Sequence, residues 1–158
     1  MKGTKEGKIY YKVVRKTPKG FFSAIITGIN GAVRYRVGRW AAPRIKGTRL
    51  LVFRDLVDAQ YFLMSGANVT GPTGAIFLCE AEDPREERRL CACHQPSAFI
   101  RFWKEVATPC LKRKCGVLDA VFSPCGTFSA KRIKLLVPAE RRRAARMRAE
   151  VHAAHPRA

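Results

Sequence analysis

Three β-prone runs lie between residues 8 and 37, and turn signals separate them. In 8–16 the side chains alternate, with Ile9, Tyr11 and Val13 on one face of an extended strand and Tyr10, Lys12 and Val14 on the other. Thr17-Pro18-Lys19-Gly20 is a turn sequence. The run 21–27 is rich in Phe and Ile and reads as a second strand. Gly28-Ile29-Asn30-Gly31 then carries the Asn-Gly pair that marks a hairpin. The run 32–37 sets Val33, Tyr35 and Val37 on one face and Arg34 and Arg36 on the other. The chain therefore opens as an antiparallel meander with one apolar face and one partly cationic face.

The remaining elements follow from the same rules. The segment 38–47 is a loop holding Arg39, Trp40, Pro43, Arg44 and Lys46, and 49–53 is a short apolar strand. Asp55 and Asp58 mark the start of a helix whose apolar stripe is Leu56, Ala59, Phe62 and Leu63, with Gly66 beyond its end. Residues 71–74 form a turn and 75–79 a buried strand, followed by a polar, exposed stretch over 83–89. A second helix is predicted over 96–106, with Phe99, Phe102, Trp103 and Val106 facing inward. Further strands are predicted at 117–122 and 132–137. Pro138 suits the first turn of a final helix reaching to about residue 152. The expected fold is a single α+β domain over 1–137, an antiparallel sheet of about five to seven strands with two short helices. An Arg/Ala-rich C-terminal helix or tail over 138–158 completes the chain.

Composition decides the class of partner. Hydrophobic residues make up 47% of 158, enough to bury a core, which separates this chain from a disordered basic polymer. Lys and Arg number 31 against 12 Asp and Glu, a net charge of +19. A surplus of this size on a small fold calls for an anionic partner, and nucleic acid, DNA or RNA, binds such surfaces by counterion release. No apolar run approaches the ~18–20 residues that span a bilayer, so no membrane span is expected. No apolar segment follows the first charges, so no secretory signal is expected either. The expected location is inside a cell, in cytoplasm or nucleus, or within a virus particle.

Phosphate contacts are assigned to Arg34, Arg36, Arg39, Arg44 and Lys46 in the first half, with Trp40 among them. Aromatics interleaved with cations suit single strands, where bases stack and phosphates pair. The second group is Lys131, Arg132, Lys134, Arg141, Arg142, Arg143, Arg146 and Arg148, with Glu140 the one acid in that stretch. Arginine dominates the tail, and its planar fork contacts phosphate bidentately. No aromatic RNP pair, helix-turn-helix spacing or basic zipper is present, so binding without strong sequence preference is expected. A basic surface of this kind also suits acidic protein partners, as in a minor capsid or scaffold component.

Six cysteines are present. Cys79 sits in an apolar run and reads as a core residue. Cys91, Cys93, His94, Cys110 and Cys115 form the candidate ligand set for a structural zinc, although the Cys91/Cys93 spacing is tighter than that of a zinc ribbon. Reduced thiols and disulfides are the other states open to them.

The candidate catalytic set is small. Glu80-Ala81-Glu82 sits directly after a strand, and in an extended segment its two carboxylates point the same way. With Arg15 at the end of the first strand, and Leu51-Val52-Phe53 leading into the helix at 55–65, this stretch resembles the ADP-ribosyltransferase family over residues 8–82. The resemblance implies an NAD-using enzyme in which Arg15 binds the phosphates and Glu80 and Glu82 orient the ribose. Ser23-Ala24 departs from the family's Ser-Thr-Ser, and the glutamates close the strand rather than open it. The order Tyr11-Lys12-Val13-Val14-Arg15, Ser23-Ala24, Tyr35-Arg36-Val37-Gly38, Val52-Phe53 with Ala59 and Phe62, and Cys79-Glu80 carries a second resemblance, to small uncharacterised proteins of bacteriophages and large DNA viruses. Gly126-Thr127, Ala130 and Ile133-Lys134-Leu135-Leu136 extend it. It implies a viral accessory or structural protein and carries no site. The function expected from the whole sequence is non-catalytic nucleic-acid binding within a larger assembly, such as a virion or ribonucleoprotein.

Overall fold

The computed structural model describes residues 8–25, 31–64, 70–91, 96–107, 120–122 and 126–140. The strands are β1 (Ile9–Thr17), β2 (Gly20–Ser23), β3 (Arg34–Tyr35), β4 (Trp40–Ala41), β5 (Leu50–Phe53), β6 (Gly74–Glu82), β7 (Arg85–Glu86), β8 (Arg89–Cys91), β9 (Ala120–Phe122), β10 (Thr127–Ala130) and β11 (Arg132–Pro138). Helix α1 (Leu56–Met64) lies between β5 and β6, and helix α2 (Pro96–Ala107) between β8 and β9. Among the described residues nine strands form one sheet in the order β4-β11-β6-β1-β5-β10-β7, with β2 on β1 and β3 on β2. All of these pairings are antiparallel, and β8 pairs with β9 separately.

The sheet curls back on itself. One edge of β1 is taken by β6 from Ile9 to Arg15. Its other edge is shared, with β5 opposite Tyr11 and β2 from Val14 onward. β3 continues from β2, and a tight turn joins β3 to β4, which pairs with β11. Gly38 in that turn takes a left-handed conformation (φ 77°) and donates from its N–H to Leu135 O at 2.8 Å. Strands β1, β2, β3, β4, β11 and β6 thus complete a circuit, and the turn between β3 and β4 closes it.

Two cores follow. Inside the circuit lie Tyr10, Val14, Tyr35, Phe77, Cys79, Ile133 and Leu135, joined by Leu50, Val52 and Ala130. On the opposite face Val13, Leu51 and Phe53 pack against Ala59 and Phe62 of α1 and Phe102 and Trp103 of α2. Both faces of β1 and β5 are therefore covered, so Val13 and Val14 are both buried although adjacent. Each large apolar side chain closed off this way contributes roughly 1.5–3 kcal/mol. Helix α1 starts where Asp55 O accepts from the Ala59 N–H at 3.3 Å.

The alternation expected in the first strand holds, as do the outward Arg34 and Arg36 with inward Tyr35, and both helices. The sheet has more strands than the expected five to seven, because β4 and β7 are two-residue pairings inside loop-like sequence and β10 follows Gly126. Val37 is exposed rather than inward, since the chain turns before it. Glu80 and Glu82 lie within β6 rather than after it, because β11 extends the ladder to Arg132↔Glu82. Pro138 ends β11, opposite Phe77, and helical backbone begins at Ala139. The Arg-rich segment beyond Glu140 lies outside the described residues.

Candidate nucleic-acid interface

The turn that closes the circuit of strands also builds a cationic concavity. An open groove of about 400 Å³ is lined by Arg34 of β3, Arg36 and Arg39 of the turn, Trp40 of β4, and Arg44. Alternation explains the arrangement. Tyr35 and Ala41 point into the inner core, so Arg34, Arg36 and Trp40 must point out. The turn is fixed by the Arg39 N–H to Arg36 O bond of 3.1 Å and by the Gly38 anchor to β11. Among the described residues no carboxylate lines the groove. Arg34, Arg36 and Arg39 make no ion pair with any described carboxylate.

Five of the six first-half residues assigned to phosphate therefore meet in one place. Lys46 is exposed and lies off the groove's lining. Trp40 has a second set of neighbours, because it sits opposite Lys134 in the β4–β11 register. The Lys134 ammonium lies 5.4 Å from the indole ring and the Arg132 guanidinium 5.6 Å. The indole thus lies beside the cations of β11 and also lines the groove.

The β11 cations are partly neutralised where they stand. Lys134 pairs with Glu80 at 2.8 Å, and Arg132 donates from Nε to Glu82 at 2.7 Å. Lys131 pairs with Asp83 at 3.3 Å. Arg141, Arg142, Arg143, Arg146 and Arg148 lie outside the described residues. Among the described residues Arg34, Arg36 and Arg39 of the groove, rather than the cations of β11, are therefore arginines without a carboxylate partner.

Asp83 is the hub of the acidic patch. It takes a left-handed backbone conformation (φ 50°) and meets Arg49, Arg85 and Lys131. Burial pushes its carboxyl up, but the Lys131 hydrogen bond and the charges of Arg85, Lys131 and Arg49 outweigh burial and hold it below the usual range. Arg49 also donates from Nε to Ser129 Oγ at 2.8 Å, and the Ser129 hydroxyl donates to Glu87 Oε1 at 2.6 Å.

The candidate catalytic residues are not brought together. In the β1–β6 ladder Ile9 faces Glu80 and Arg15 faces Gly74. Six residues of extended chain separate the two levels, about 20 Å. Glu80 and Glu82 do share a face, as alternation requires, and both are engaged by β11 cations.

Of the proposed zinc ligands only the backbone of Cys91, in β8, is described; Cys93, His94, Cys110 and Cys115 lie outside the described residues. Cys79 is fully buried, and burial, the largest influence, pushes its thiol up to about 12 against the opposing charge of Lys12. No helix among the described residues is long and apolar enough to cross a membrane.

One residue was legible as a position and missed as a feature. Lys12 shares the inner face of β1 with Tyr10 and Val14 and is buried with them. Its Nζ donates to Leu51 O at 2.7 Å and lies 5.7 Å from the Tyr35 ring. The sequence signal was a lysine in phase with two inward residues of a strand covered on both sides.

No protein-family model matches this chain, and no curated protein or solved structure matches it significantly.

Proposed function

We propose that the protein binds single-stranded nucleic acid, DNA or RNA, without catalysis, along the groove between β3 and β4. The observation that carries this reading is the convergence of Arg34, Arg36, Arg39 and Arg44 with a partly exposed Trp40 on one groove that no described carboxylate lines. Arginine forks take phosphates, and an indole at their side takes a base by stacking. The volume lies within the roughly 300–1,000 Å³ typical of ligand-sized clefts. The net charge of +19 exceeds what one groove uses. The remainder suits packing within a larger nucleoprotein assembly such as a virion or ribonucleoprotein, where many phosphates surround each copy.

The test is affinity for an oligonucleotide as a function of salt. Four arginine–phosphate contacts on a single strand give a log–log slope of about −3. The double variant Arg36→Ala/Arg39→Ala weakens binding to all sequences alike and makes the slope shallower by about 1.4. Trp40→Ala weakens binding by about 1–3 kcal/mol with the slope unchanged. Affinity that ignores salt, or a double variant that binds as the parent does, sinks the reading.

A further inference from the structure

A second cavity shares a wall with the groove. It measures about 40 Å³, and Val33 and Arg44 line both. The volume corresponds to a few waters, since one water needs about 10–15 Å³, and is on the scale of a small oxyanion. Its wall includes Lys12, Ser23, Tyr35, Thr48 and Arg49, and no carboxylate.

Most of that wall is committed. Arg49 is held by Asp83 and Ser129, and the Thr48 hydroxyl donates to Ile45 O at 2.8 Å. Lys12 is different. Its ammonium has three protons, and among the described residues its one hydrogen bond is to Leu51 O. Among the described residues no carboxylate pairs with it. The titratable groups facing it are Cys79 from β6, whose buried thiol stays protonated, Tyr35 from β3, and the arginines Arg44 and Arg49 on the cavity wall. The Tyr35 hydroxyl is closed off from solvent and completes no hydrogen bond of ordinary geometry. Burial, the dominant influence, pushes its phenol well up, and the neighbouring Ser23 hydroxyl opposes this only in part. A buried cation without a counter-charge is expensive to keep, and so is a buried hydroxyl without a partner. One bound oxyanion would resolve both.

We infer that the cavity lined by Lys12, Ser23 and Tyr35 binds a phosphate monoester or free phosphate, with the Lys12 ammonium as its charged anchor. The free ion is one source. The other is the terminal phosphate of a strand lying in the adjacent groove, and that source alone rests on the nucleic-acid reading.

The experiment compares oligonucleotides that differ only in carrying a terminal phosphate, at the 5′ or the 3′ end, and titrates inorganic phosphate separately. One charge-assisted contact predicts about tenfold tighter binding of one phosphorylated form. Lys12→Met removes the difference between ends while keeping the general affinity. Arg36→Ala/Arg39→Ala does the reverse, weakening both forms and keeping their ratio. Because a core variant tests folding as well, Lys12 is also read in the unaltered protein. Amine acylation followed by peptide mapping is expected to show Lys12 protected several-fold by inorganic phosphate, with Lys8 and Lys16 unaffected. Protection by phosphate without any oligonucleotide binding keeps the site and removes the groove's nucleic acid. Equal binding of all ends together with no protection at Lys12 overturns the proposal, whatever the groove does.

Discussion

Trp40 and Lys134 stand opposite each other in the β4–β11 ladder, with the ammonium 5.4 Å from the indole ring. Lys134 is in turn held by Glu80 at 2.8 Å, so the cation is fixed over the ring by a carboxylate on the next strand. The other tryptophan, Trp103, is 3% exposed, whereas Trp40 is 44% exposed. The two are therefore separable by fluorescence. Iodide, an anion drawn to the arginines of the groove, is expected to quench Trp40 and to leave Trp103 untouched. The iodide-sensitive emission disappears in Trp40→Phe and is protected by a bound oligonucleotide. Quenching that survives in Trp40→Phe means the core around Trp103 is open and contradicts the packing described.

Arg49, just before β5, ties Ser129 of β10 to Asp83 in the turn between β6 and β7. Its guanidinium reaches Ser129 Oγ and the side chain and main-chain oxygen of Asp83, and its side chain is only 13% exposed. Several donors of one planar fork are used at once, which an ammonium cannot reproduce. Arg49→Lys is expected to lose about 2 kcal/mol of stability in urea unfolding. Arg49→Ala is expected to lose at least as much, because Ser129 Oγ and the main-chain oxygen of Asp83 then lose the donor that Arg49 supplies. A lysine variant with the parent's midpoint would show that the fork contributes nothing.

Asp83 provides an acid-side signature. Its carboxyl is held below the usual range by Lys131, Arg85 and Arg49 against the opposing effect of burial. A carboxylate with a depressed folded pKa stabilises the fold above its unfolded pKa of about 3.9, and that stabilisation is lost as pH falls through the folded value. Asp83→Asn keeps a residue that tolerates the left-handed backbone at φ 50° while removing the charge. The stability gap between parent and variant is expected to be constant from pH 5 to 7 and to close below pH 4. A gap independent of pH down to acid unfolding would remove Asp83 as the hub.

These particular residues show where sequence reading stopped. The turn at Thr17–Gly20, the outward arginines of β3 and the two helices follow from local pattern, because period and turn chemistry act within a few residues. Arg34, Arg36, Arg39, Trp40 and Arg44 were legible as a group because they are close in sequence, and one turn gathers them. The pairing of Glu80 and Glu82 with Lys134 and Arg132 was not legible, since it depends on β11 lying beside β6, some fifty residues away in the chain. The covering of both faces of β1 was equally non-local. It takes α1 and α2 to cover the Val13 face and the closure of the strands to bury Lys12 on the other, and neither is written in the residues next to them.

Lys12 carries the clearest basic-side prediction. Burial, the dominant influence, pulls its ammonium down to about 8, only partly opposed by Cys79. In the unfolded chain a lysine titrates near 10.4, so between about pH 8 and 10 the unfolded state binds more protons than the folded one. Stability contributed at this site therefore rises with pH across that window, as the folded lysine sheds the charge its surroundings disfavour. Tyr35 works the other way but later, because its raised folded pKa lowers stability only as pH passes the unfolded value near 10. Lys12→Met removes the charge and keeps a flexible apolar chain of similar length. At pH 7 it is expected to be more stable than the parent by up to about 3 kcal/mol. That advantage shrinks steadily as pH is raised from 8 to 10, as measured by chemical unfolding at each pH. A Lys12→Met protein less stable than the parent at neutral pH, with a gap that ignores pH, would mean that the buried charge costs the fold nothing.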